Sequence, residues 1–138
     1  MQDKRKIFLD SNVVIYAYCN NKADKQKKAK QLFAEKAVVI STQVLQETAN
    51  TLYKKFNVDF NTVRLLLNEC VRNATAFHVN THETILKACI IAEVYQFSFY
   101  DSLIISSALE ADCHILYSED MQHNQVIEKK LKIINPFL

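Results

Sequence analysis

Four acidic residues, Asp10, Glu47, Asp101 and Asp120, are the side chains whose types and surroundings could do chemistry. Asp10 follows directly on the apolar run at positions 6 to 9, and Asp120 comes three residues after Ile115–Tyr117. Asp101 lies in helical phase with Ile104, Ile105 and Ala108, where an ionised carboxylate is costly unless paired or bound to a cation. Clustered carboxylates offer only oxygen, a donor set suited to a hard cation such as magnesium or manganese. An ion so held can lower the pKa of a bound water and stabilise charge on phosphoryl oxygens.

Each acid also has a structural reading when taken singly. Ser98 and Asp101 have the spacing of a helix capping box, and Asp10 or Asn12 could cap a following helix. Glu47 could be an ordinary exposed helix residue and Asp120 an ordinary loop acid. What decides between the readings is whether the four segments converge.

The pattern around the acids alternates strands with helices over the whole chain. Short β-rich runs at 6–9, 37–40, 77–79, 114–117 and 131–134 are separated by helical spacing over 25–36, 42–56, 59–73, 81–95 and 99–111. Ser41 and Thr42 mark one helix start and Thr81 with Glu83 another. This predicts an α/β fold of one domain spanning 1–138, a sandwich with a parallel sheet of four or five strands flanked by helices on both faces. Ligands in such sheets collect beyond the carboxyl ends of the strands, at a topological switch point, and all four acids are expected near that edge.

Composition narrows the class. With 49% apolar and 23% charged residues in 138, the chain has the balance of a globular domain able to bury a core. No apolar run is long enough to span a bilayer, and the N-terminus meets charge within its first residues, so a cytoplasmic location without membrane association is expected. The net charge of +2 does not establish a nucleic-acid partner, but its distribution is uneven. Lys22, Lys25, Lys27, Lys28, Lys30 and Lys36 crowd one segment, and Lys129, Lys130 and Lys132 another. Among them Lys25, Lys27, Lys28 and Lys30 are the candidates for phosphate contact; a solvated helix face is the alternative.

Cys19, Cys70, Cys89 and Cys113 sit in apolar stretches without metal-ligand spacing and are expected to be buried, reduced thiols. The sequence contains no glycine, so positive-φ positions should fall to asparagine, with Asn20, Asn21, Asn57, Asn73, Asn80 and Asn124 near element boundaries.

Four stretches in order carry a family resemblance: Phe8-Leu9-Asp10-Ser11-Asn12, then 41–47 ending at Glu47, then 98–104 containing Asp101, then 116–122 containing Ser118, Glu119 and Asp120. Together they resemble the PIN-domain nucleases, and their order and spacing are similar to the VapC-type toxins of toxin–antitoxin pairs. The terminal Ile133-Ile134-Asn135-Pro136-Phe137 is also similar. The resemblance implies that Asp10, Glu47, Asp101 and Asp120 bind Mg2+ or Mn2+ and carry catalysis, with Asn12 and Ser118 orienting them and Glu119 an ambiguous neighbour. It further implies hydrolysis of RNA to a 3′-hydroxyl and a 5′-phosphate, an antitoxin protein as partner, and a homodimer. Where relatives often have glycine after the fourth acid, this chain has Asn124.

Rival readings have discriminating features. A phosphorelay receiver needs adjacent acids after the first strand, and Asp10-Ser11-Asn12 supplies one. An aspartyl-nucleophile phosphatase needs a second aspartate where Asn12 stands. A PIN-like module that binds RNA or protein without cutting, and a housekeeping RNA-processing nuclease, remain as alternatives.

Overall fold

The computed structural model describes residues 5–19 and 22–138. β1 (Lys6–Leu9) leads into α1 (Ser11–Tyr18) and α2 (Ala23–Glu35). β2 (Ala37–Ser41) leads into α3 (Thr42–Phe56) and α4 (Phe60–Asn73), and β3 (Ala76–His78) into α5 (His82–Tyr95) and α6 (Phe99–Glu110). β4 (Ile115–Tyr117), β5 (Val126–Ile127) and β6 (Leu131–Ile134) complete one sheet in the order β3-β2-β1-β4-β6-β5.

Five of these strands are the expected parallel set, and the sixth, β5, pairs antiparallel with β6. Ile7, Phe8 and Leu9 in β1 and Val38, Val39 and Ile40 in β2 are all buried, the continuous apolar reading of strands covered on both faces. With the right-handed crossovers that parallel strands follow as a rule, this order assigns α1–α4 to one face, on the way from β1 to β2 to β3, and α5 and α6 to the other, on the return from β3 to β4. The packing agrees: α1 lies against α2 and α3, and α5 against α6. The chain's direction across the sheet reverses between β1 and β4. That gap is the topological switch point.

Local chemistry sets the helix starts. Ser41 caps α3 by accepting from the Val44 N–H at 3.4 Å, and Asp59 caps α4 by accepting from Thr62 N–H at 2.8 Å. Thr81 caps α5 as expected, but its capping-box partner is Thr84, whose hydroxyl accepts from the Thr81 N–H at 2.9 Å; Glu83 lies one residue too early to reach back. Positive φ occurs at Asn57 and Asn124 as expected, and also at Gln96, Asp112, Glu128 and Lys129. Asn73 is the last residue of α4 and Asn80 has no positive φ, because the turns after α4 and β3 are extended and need no left-handed residue. Asn20 and Asn21 lie outside the described residues.

Cys19, Cys70 and Cys113 are buried free thiols, whereas Cys89 is exposed because it falls on the outward side of α5. Among the described residues no single helix is long and apolar enough to cross a membrane.

Candidate active site

Asp10 follows β1 and turns into α1, and the residue is only 6% exposed. One carboxylate oxygen accepts from the Ser11 N–H at 2.7 Å, and the other from the Ser118 hydroxyl at 2.8 Å. The Asp10 N–H donates to the Tyr117 carbonyl at 3.0 Å, fastening the end of β1 to the end of β4. Burial pushes the Asp10 carboxyl up to about 7; the Ser118 and Ser11 hydrogen bonds oppose this, and the charges of Glu47 and Asp101 reinforce it.

The loop after β4 is tied to α1 by Asn12. Its amide donates to the Asp120 carboxylate at 3.1 Å, and its carbonyl oxygen accepts from the Glu119 N–H at 3.2 Å. Ser118 uses one hydroxyl twice, donating to Asp10 and accepting from the Asp120 N–H at 3.3 Å. Asn12 and Ser118 therefore hold Asp10 and Asp120 across the switch point.

Asp101 lies in the first turn of α6, where Ser98 caps the helix by accepting the Asp101 N–H at 3.2 Å. Burial raises its carboxyl, the Ser98 hydroxyl works against that, and the charge of Asp120 adds to it. Glu47, one turn into α3, accepts at 3.4 Å from the side-chain amide of Gln43, which also donates to the Tyr100 carbonyl at 3.0 Å. One amide thus ties α3 to the start of α6 over the end of the sheet. The charges of Glu47 and Asp101 act on Asp10, and that of Asp120 acts on Asp101.

Among the described residues no three His, Cys, Asp or Glu side chains form a ready-made metal cage. The donor chemistry nonetheless fits a hard divalent cation. The group is made of carboxylate oxygens alone, and a nearly closed-off carboxylate held at about 7 by burial and by like charges is what a neighbouring cation would relieve.

The neighbouring Glu119 is engaged elsewhere. It accepts from the Tyr16 hydroxyl at 2.8 Å and pairs with the Lys25 ammonium. Burial works to raise its carboxyl, but Lys25 and Tyr16 outweigh that and hold it below the usual range. Lys25 is correspondingly raised by Glu119 and then by Tyr16. Of the four lysines named from sequence, Lys25 therefore faces an acid of its own, while Lys27, Lys28 and Lys30 are exposed on α2. None of the four lines the groove beside the acids.

That groove, about 370 Å3, is lined by Asn12, Tyr16, Lys22, Lys55, Glu119 and Asp120 among others. Lys22 and Lys55 are its cations, and of these only Lys22 belonged to the lysine-rich segment. Lys55 gave no sequence signal, since its role depends on α3 running past Asp120's loop. Asn135 also went unassigned: its N–H donates to His123 at 2.9 Å and its amide to the Glu119 carbonyl at 3.4 Å, so the C-terminal motif props the acid-bearing loop. Gln43 could have been found from its i, i+4 spacing to Glu47.

The sequence profile of the PIN domain matches residues 7–129. The chain belongs to the PIN domain family. No curated protein sequence matches it. Among solved structures it is similar to VapC20 of Mycobacterium tuberculosis, described as a sarcin-ricin loop cleaving toxin, at 18% identity and a TM-score of 0.67 over 83% of this chain and 89% of that one. It is also similar to VapBC2 of Rickettsia felis bound to a DNA fragment from its promoter, at 16% identity and a TM-score of 0.66 over 94% and 99%. A toxin–antitoxin complex from Klebsiella pneumoniae gives 16% identity and a TM-score of 0.68 over 94% and 97%. At these identities the likeness is one of fold.

Proposed function

We propose that this protein is a metal-dependent endoribonuclease, the toxin of a type II toxin–antitoxin pair. What supports the reading is that Ser118 and Asn12 hold Asp10 and Asp120 together across the switch point of a PIN fold, with Asp10 buried, raised to about 7 and sensing the charges of Glu47 and Asp101. Structural packing alone has no use for such a group, because an acid cluster without a cation opposes folding.

In this reading the four acids hold Mg2+ or Mn2+, which would lower the pKa of a water and stabilise charge on the phosphoryl oxygens. Ser118 and the Ser11 N–H fix both oxygens of Asp10, leaving its remaining lone pairs to face the site. Asn12 fixes Asp120, and Gln43 aligns Glu47. Lys22 and Lys55 in the adjoining groove receive backbone phosphates, and the exposed Lys27, Lys28 and Lys30 extend the positive field along α2, with Lys25 restraining Glu119. The expected products carry a 3′-hydroxyl and a 5′-phosphate, and the expected setting is the cytoplasm.

Two exposed apolar surfaces support protein partners, an antitoxin and a second copy of the chain. Tyr53 and Phe60 stack at 4.0 Å on the outside of α3 and α4, and Leu86, Ile90 and Val94 recur every four residues along the outside of α5.

The test is cleavage of RNA by pure protein with and without Mn2+ or Mg2+, together with calorimetric titration of the metal. Metal-dependent cleavage and a binding isotherm, both lost in Asp10→Asn, are expected. Cleavage insensitive to chelator and to Asp10→Asn would overturn the reading, and RNA binding without cleavage would favour the non-catalytic module.

A further inference from the structure

A second, smaller pocket of about 230 Å3 is lined by Gln43, Gln46, Glu47, Asn50 and Tyr100 and shares no residue with the lysine groove. We propose that it receives one unstacked base of single-stranded RNA, adenine by preference, beside the acids; this rests on the ribonuclease reading and names the form of its substrate. The pocket is small for a whole ligand and suits one ring system.

Its chemistry is that of a base site rather than a phosphate site. Gln43, Gln46, Glu47 and Asn50 stand at i, i+3, i+4 and i+7, one face of α3, so three amides and a carboxylate point the same way. No cation lines it, so it offers a phosphate no partner of its own. Tyr100 is 65% exposed in the first turn of α6, ahead of the buried stretch Ser102–Leu109, and Phe99 packs edge-on against it at 5.4 Å and 71°. An exposed ring braced in this way is a stacking surface, and stacking tolerates every base. Selectivity must come from the amides, whose paired donor and acceptor match the N6 and N7 edge of adenine.

Gln43 forms the fixed inner wall: it is only 4% exposed, and its NH2 is taken up by Glu47 and the Tyr100 carbonyl, which leaves Gln46 and Asn50 as the amides free to read a base. The layout also orders a strand: backbone on Lys22 and Lys55, scissile phosphate at the acids, base on Tyr100.

Fluorescein-labelled oligo(A), oligo(C) and oligo(U) would be titrated by anisotropy onto Asp10→Asn protein in Mg2+, which keeps the probe intact. Oligo(A) should bind about fivefold or more tightly than the pyrimidine strands. Adding Tyr100→Leu should weaken all three by roughly five- to tenfold, with Tyr100→Phe restoring them. Gln46→Leu with Asn50→Leu should erase the adenine preference while leaving pyrimidine binding unchanged. Equal affinities, or a preference that survives these changes, would overturn the pocket and leave the ribonuclease reading standing. RNA affinity indifferent to Tyr100→Leu would also overturn it, and would release the ring to a protein partner. Failure to bind any of the RNAs would overturn both. Tyr100-dependent, adenine-preferring binding by a wild-type protein that cuts no RNA would support the pocket and overturn the ribonuclease alone.

Discussion

The rim where β1 and β4 end and the outer side of α5 both carry side chains that folding disfavours, in opposite ways. At the rim a carboxylate is buried; on α5 large apolar groups are exposed, with Ile90 at 61% and Val94 at 66%. The rim holds its costly group, the Asp10 carboxylate, with fixed hydrogen bonds from Ser11 and Ser118, while Asn12 holds the neighbouring Asp120. The α5 face has no such network, and its residues stand on a helix whose other side is anchored by Ala88 and Ile91. A polar group must be oriented to act, whereas an apolar surface needs only to be covered. The first arrangement is suited to chemistry and the second to association.

The sharpest way to break that contrast is Asp10→Asn. Loss of partners that merely orient metal ligands costs about 10–100-fold. If Asp10 itself ligates the metal, as proposed, RNA cleavage should fall by more than about 100-fold while circular dichroism stays unchanged. Ser118→Ala, which removes only the orienting hydroxyl, should fall within the smaller range. Equal losses in the two variants would mean that Asp10 acts through the fold and not as a ligand.

Next in size is the electrostatic contribution of the groove. Lys22→Glu with Lys55→Glu should weaken RNA binding and flatten its salt dependence by about 1.4 in log–log slope, if each lysine meets one phosphate of a single strand. The same exchange at Lys27 and Lys28 on the exposed side of α2 should change the slope less. The reverse ranking would return phosphate contact to α2.

On α5 the expected effect is on mass rather than rate. Ile90→Glu with Val94→Glu should leave thermal stability within about 0.5 kcal/mol, since both sites are exposed. It should shift the wild-type assembly toward monomer in sedimentation. An unchanged assembly, or a monomeric wild type, would take the second copy off this face.

These regions were not equally legible in the sequence. Asp10, Asp101 and Asp120 could be placed because a strand end and an apolar helix phase constrain where a carboxylate points, and the switch-point rule gathers them. β5 escaped because it has two residues and its turn to β6 lacks the usual signal. Glu128 and Lys129 both adopt positive φ there, with Lys130 N–H donating to the Ile127 carbonyl at 3.0 Å, where Asn-Gly would be the readable choice. Lys55 and Asn135 were hidden for another reason: each acts across the tertiary structure, on a loop far away in the chain. The lysine run on α2 was the opposite case, conspicuous in composition yet set apart from the groove apart from Lys22, while Lys25 is engaged with Glu119.

The smallest expected effect is the most diagnostic, because structural and metal-site roles for Asp10 give different pH profiles. In chelator, the folded protein holds the Asp10 proton up to about pH 7, whereas the unfolded chain releases it near 3.8. Between those values the folded state binds more protons, so this group's contribution to stability declines as pH rises and levels off above about 7. Asp101 is shifted in the same direction and adds to the decline. The double variant Asp10→Asn, Asp101→Asn removes both titrations. Asn caps a helix as well as Asp does, so the Ser11 bond at Asp10 can survive the exchange. Its melting temperature in chelator should therefore exceed wild type by a few degrees at pH 8 and match it near pH 4. Added Mg2+ should close the gap at pH 8 by stabilising wild type alone, since a ligand of the folded state acts by mass action. A purely structural Asp10 predicts instead a variant that is equal or less stable at both pH values, and no response of wild type to the metal. Calorimetry at the two pH values, with and without Mg2+, separates these outcomes in a single set of scans.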